Sequence, residues 1–119
     1  MTTTLAWLLF VLGIGHIAYA FVKFRAPLLE GLSAGVVGQF GTPELRRTAF
    51  WFTMFGPLLM LAGQVALHAA ASGDLELYRL VGAYLLAVSL VGVVALPKSP
   101  FLVGLLISSS IVAASYRVI

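Results

Sequence analysis

The sequence predicts an all-α fold: an integral membrane four-helix bundle, running up and down, with an interfacial segment between helices 1 and 2. Three observations predict it. Hydrophobic residues make up 61% of the 119 residues, charged residues only 9%, and mean hydropathy is +1.09, whereas soluble domains carry about 25% charged residues. A chain this short forms one domain, 1–119, whose core cannot hide that much apolar surface. Four stretches each supply the roughly 20 apolar residues that cross a hydrocarbon layer of about 30 Å.

The first stretch runs over about 4–24 and is closed by Lys23 and Arg25. Ala18-Tyr19-Ala20 has the small-x-small form of a signal cleavage site, but no Lys or Arg precedes the apolar run, so it is expected to be a retained helix. The second covers about 47–71, opening with Phe50, Trp51 and Phe52 and ending before Ser72-Gly73-Asp74. Thr42-Pro43-Glu44 makes a helix start upstream of it, with Thr42 as N-cap, Pro43 at the first helical position and Glu44 at the positive end of the dipole. Gly56-Pro57 interrupts this helix and is expected to bend it. The third covers about 77–96, stopped by Pro97, and the fourth about 100–118. Only Pro97 to Pro100 separates those two, which forces an antiparallel hairpin.

Between the first two helices, Ala26 to Glu44 is the one long connection. Pro27 to Ser33, with Val36, Val37 and Phe40, reads as an amphipathic segment lying at the membrane surface. Glycines at 31, 35, 38 and 41 weaken a helix there, so a partly irregular flap is expected.

Basic residues set the orientation. Lys23, Arg25, Arg46, Arg47 and Lys98 fall on one face, and Arg79 and Arg117 on the other. Five against two places the first and third connections in the cytoplasm and both termini outside it. The scattered positive charge forms no patch or arm, so nucleic acid is not an expected partner. No cysteine is present, which excludes disulfides, thiolate metal sites and thiol nucleophiles.

Among residues able to carry chemistry, His16 stands out, because a titratable ring in the middle of a spanning helix is costly and faces a bundle interior or cavity. Tyr19 and Lys23 follow one and two turns later on its side. Measured from the cytoplasmic ends at about 1.5 Å per residue, His16, Thr53 or Met54, Ser89 and Ser108 fall about 10–14 Å deep. They define one polar layer whose only titratable member is His16. Hydroxyls of this kind also bond back to their own helix, which is the structural alternative. Trp51 with Glu44, Arg46 and Arg47 forms the expected mouth of a pocket, although an aromatic belt beside two arginines explains Trp51 more cheaply. Gln64 and His68 point together on the second helix, far in depth from His16. Two separated histidines without carboxylates are too few for zinc, so neither metal nor cofactor is expected. Tyr78, Gly82, Ser89 and Gly92, and Gly104, Ser108 and Ser115, form small-residue seams for helix contacts.

No carboxylate falls inside a span: Glu30, Glu44, Asp74 and Glu76 all sit in connections or at helix ends. Small multidrug transporters share the length and helix count but depend on a glutamate in the first helix, where this chain has His16. Gly31-x-x-x-Gly35-x-x-Gly38 has neither the preceding strand nor the lysine of a phosphate-binding loop.

Gly13-x-x-His16, Pro27-Leu28-Leu29, Ala49-Phe50-Trp51-Phe52, Phe55-Gly56-Pro57 with Gly63, and Leu96-Pro97-x-Ser99 together give the chain a resemblance. Along nearly its whole length it resembles an uncharacterised family of short bacterial four-helix integral membrane proteins. That resemblance implies the fold and a bacterial inner membrane and brings no activity. The expected function is binding of, or action on, a small lipophilic molecule near His16, with Thr53, Ser89 and Ser108 orienting it and membrane lipid around it. The alternatives are an accessory subunit of a larger membrane complex, without chemistry of its own, and a small transporter or channel built as a homo-oligomer.

Overall fold

The computed structural model describes residues 1–97 and 99–119. Lys98, one of the five basic residues counted on the first face, lies outside them. Among the described residues there are five helices and no strand: α1 (Thr2–Lys23), α2 (Arg25–Ser33), α3 (Glu44–Ser72), α4 (Leu75–Ala95) and α5 (Phe101–Ser115). The expected count of four is exceeded by α2, which forms inside the long connection. Three helices, α1, α3 and α4, are long and apolar enough to cross a membrane.

The fourth expected span is shorter than its apolar run. α5 has 15 residues, a rise of about 22 Å against about 30 Å of hydrocarbon. A closed turn ends it. The Arg117 amide donates to the Ala114 carbonyl and the Val118 amide to the Ala113 carbonyl, each at 3.0 Å. This is a Schellman closure with arginine, at φ 58°, where glycine is usual. From α4, Arg79 donates through Nε to the Ser115 hydroxyl and through Nη2 to the Ser115 carbonyl, both at 3.1 Å. A cation thus satisfies the negative end of the α5 dipole.

α3 begins at Glu44, with Pro43 itself in the cap position and no side-chain capping bond. The Pro43 carbonyl accepts from the Arg46 and Arg47 amides, which leaves Thr42 one residue too far upstream to cap. From there α3 runs through Pro57 as one helix to Ser72. Gly73, at φ 74°, closes it with bonds from its own amide to Ala70 and from the Asp74 amide to Ala69. The Asp74 carboxylate then accepts from the Leu77 amide at 3.0 Å and starts α4. Two residues therefore turn the chain back on itself.

Small residues set the packing of α1 on α3. Ala6, Gly13 and Ala20 recur every seven residues on α1, and Ala49, Gly56 and Gly63 every seven on α3; all six are buried. A Cβ at Gly13 would stand 2.6 Å from the Gly56 carbonyl oxygen, and one at Gly63 2.6 Å from the Phe10 nitrogen. Backbones touch there, and the order of contacts makes the pair antiparallel. A strict seven-residue repeat winds such a pair left-handedly. α4 and α5 form the second antiparallel pair, with Gly82 against Ile111 and Gly92 against the Phe101 ring. α1 also meets α5 and α3 meets α4, and Tyr78, fully buried, donates from α4 to the Thr2 carbonyl at 2.8 Å.

The long connection folds onto the first pair. Leu28 of α2 packs with Ala20 and Ala49, and the Phe40 ring covers Gly31, where a Cβ would collide with it. Gly35, at φ 105°, ends α2. Gly38, at φ 71°, takes a second such turn in the irregular stretch that follows, in keeping with the expected flap.

Candidate functional site

Between the two helix pairs lies a cleft of about 690 Å³, lined from α1, α3, α4 and α5. Its walls are mostly Leu, Val and Phe, and its volume lies within the roughly 300–1,000 Å³ of small-molecule pockets. Four of the residues expected to form the site meet there: His16, Trp51, Ser89 and Arg47.

The His16 ring stacks on Phe52, with centroids 4.1 Å apart and planes 18° from parallel, and Phe55 flanks it at 5.5 Å. Ring stacking fixes its orientation and contributes about 0.5–1.5 kcal/mol beyond burial. Its Nε2 is buried and has no hydrogen-bond partner. Leaving such an atom unpaired costs about 1–3 kcal/mol, and stacking on Phe52 and Phe55 holds the ring in place. Ser89, buried on α4, lines the same cleft and faces Gly104, where a Cβ would come within 3.0 Å of its hydroxyl oxygen.

Toward the α1 C-terminus the lining becomes basic, with Lys23, Arg47 and Thr48 next to Trp51, Phe24, Ser99 and Phe101. Phe50, Trp51 and Phe52 are consecutive on α3, so about 100° of helix rotation separates each from the next. Phe52 meets His16, Trp51 reaches the cleft, and Phe50 packs on Phe40 of the connection at 5.5 Å. One aromatic run thus serves three surfaces.

The other residues of the expected site lie outside the cleft lining. Thr53 donates to the Ala49 carbonyl at 2.8 Å, and Ser108, 1% exposed, donates to the Leu105 carbonyl at 3.3 Å. Both hydroxyls turn back to their own helices, as helical Ser and Thr commonly do. Glu44 is exposed in the first turn of α3. Arg46 straps the connection: its Nε stands 3.7 Å from a Glu30 carboxylate oxygen, and Nη1 donates to the Gln39 carbonyl and side-chain oxygens at 3.5 Å. Facing away, Gln64 and His68 are exposed.

Phe52 and Phe55 as the walls around His16, and Phe101, Leu96 and Gly104 on the opposite side, are not apparent from the sequence. A signal for the first two exists in hindsight: Phe52 and Phe55 are three apart and share one face of α3. A second hollow, about 450 Å³, lies near Asp74, Glu76, Arg79 and Leu80. Its guanidinium is already committed to Ser115. Among the described residues no cluster of three metal-ligating side chains occurs.

No curated protein and no solved structure matches the chain. A family model does, over residues 1–118, and the chain accordingly belongs to a family of unknown function (DUF6463).

Proposed function

We propose that this chain is a multi-pass protein of the bacterial inner membrane which binds, or acts on, a small lipophilic molecule in the cleft beside His16. α1, α3 and α4 cross the bilayer, and α5 completes the bundle. Leu58, Leu61, Leu80, Leu90, Val91 and Val94 are each more than half exposed along the helices, an arrangement that lipid satisfies and water does not. α3, at 29 residues, is about 43 Å long and carries its basic first turns beyond the hydrocarbon. The 15 residues of α5 span by local thinning, with Tyr116 and Arg117 at the surface. Bacterial origin rests on the sequence resemblance alone.

The observation that carries the ligand reading is the buried, unpartnered Nε2 of His16 within an apolar cleft. An occupant with one hydrogen-bonding group beside it removes the cost of the orphan atom. The walls take the rest of such a molecule by apolar contact.

His16→Gln and His16→Leu, purified in the same neutral detergent, test this. Extracted lipophilic molecules are identified by mass spectrometry, and thermal stability is measured in parallel. Wild type is expected to retain a discrete molecule that both variants lose while melting within a few degrees of it. A melting loss in His16→Leu alone, with ligand content unchanged throughout, would leave His16 as a packing residue. Purification only together with a partner protein would point to an accessory subunit instead.

A further inference from the structure

Resting on the ligand reading above, we infer that the cleft's occupant is an anionic amphiphile, its acidic head held between Lys23 and Arg47 and its chain running inward past His16. The cleft is polarised along its length. One end is apolar, with Leu9, Leu12, Leu59 and Leu85, and the other bears Lys23 and Arg47, with no carboxylate anywhere in the lining. Glu30, the acidic side chain that the connection brings to this end, pairs with Arg46. Among the described residues that is the single ion pair, so neither cation of the mouth has a protein counter-charge. Both side chains are exposed, and the Lys23 ammonium lies 5.6 Å from the ring of Phe24, another residue of the lining.

Spacing sets the kind of molecule. Leu9, His16 and Lys23 are successive at seven-residue intervals on α1 and all line the cleft, which places them about 10 Å apart along the axis. A straight chain reaching from the lysine to the leucines is therefore about 20 Å long, the span of a long-chain fatty acid. A carboxylate head is the commitment, because one acidic group can be shared by a lysine and an arginine on facing helices. The chain passes Phe52 and Phe55, and the His16 nitrogen lies alongside its middle, where the occupant carries the one polar group that partners it; palmitate probes the head and chain without that group.

The test uses palmitate and methyl palmitate, which share a chain and differ in charge, in neutral-detergent micelles. Trp7→Phe leaves Trp51 as the sole tryptophan and the fluorescence reporter of the cleft mouth. In that background palmitate is expected to bind at least tenfold more tightly than the ester. Lys23→Gln with Arg47→Gln should remove that preference, bringing palmitate to the affinity of the ester. Val88→Trp, which fills the cleft from α4, should abolish both. Equal affinity for acid and ester before the two substitutions, or undiminished palmitate affinity after them, overturns the anionic head. If both probes nonetheless bind and Val88→Trp removes them, the lipophilic cleft itself survives. Binding of neither probe, or binding of both untouched by Val88→Trp, overturns the head group and the cleft together.

Discussion

His16 was legible as the residue to watch because a histidine in an apolar helix has few inexpensive places to go. Its immediate surroundings were not legible, since helix rotation and not depth decides which side chains meet. Thr53 and Ser108 sit at the expected depth and turn to their own carbonyls; Ser89 sits there too and lines the cleft. A residue-scale consequence concerns backbone strain at the α5 terminus. Arg117 adopts φ 58°, a region costing an L-residue with a side chain roughly 1–2 kcal/mol more than glycine. Its backbone bonds, not its side chain, close the turn. Arg117→Gly is therefore expected to stabilise the folded state by about 1 kcal/mol, part of it returned through the greater freedom of the unfolded chain. Denaturation by a harsh detergent added to a mild one measures it, and a destabilised variant would mean that the guanidinium itself holds that end.

The existence of the four apolar helices was legible from hydropathy, that of α2 was not, and helix ends were much less so. The expected span reaches Val118 while the helix stops at Ser115, where a closed turn ends it and Arg79 of another helix donates to the Ser115 carbonyl. No local pattern announces that. The glycines gave a similar mixture. Small-residue seams were readable on α4 and α5, whereas the tightest seam, between α1 and α3, emerges only when Gly13 is seen against Gly56. Gly13 and Gly15 provide an internal contrast, two residues apart on one helix. A side chain at Gly13 meets Gly56 and Met60 backbone, while nothing lies within 4 Å of one at Gly15. Overpacking costs about 1–3 kcal/mol where neighbours can yield, and backbone yields least. Gly13→Leu is expected to lose at least that much and Gly15→Leu to be nearly neutral, apart from the helix propensity it gains. Comparing their melting in one detergent decides it; equal tolerance would show that α1 and α3 are not held by backbone contact.

The whole molecule reads as two closely packed antiparallel pairs, α1 with α3 and α4 with α5, with the cleft along their junction. At its longest the chain measures 49 Å, slightly more than a bilayer with its headgroups, about 40–45 Å. Both ends of that axis carry polar features of different kinds. One has the α2 connection with Lys23, Arg25, Arg46 and Arg47; the other has Asp74, Glu76, Arg79 and the α5 terminus. In the proposed membrane setting this asymmetry fixes direction, since positively charged connections stay in the cytoplasm. The cysteine-free sequence makes the direction measurable without further engineering. Glu30→Cys lies at the α2 end and Glu76→Cys at the other, and both positions are exposed. With a membrane-impermeant maleimide applied to intact spheroplasts, Glu76→Cys is expected to label at once and Glu30→Cys only after lysis. The reverse pattern would invert the protein and place the basic cleft mouth outside, where acidic amphiphiles would have to enter from the opposite leaflet. Equal labelling of both before lysis, in spheroplasts shown to be sealed, would contradict a fixed orientation across the membrane and with it the proposed location of the cleft.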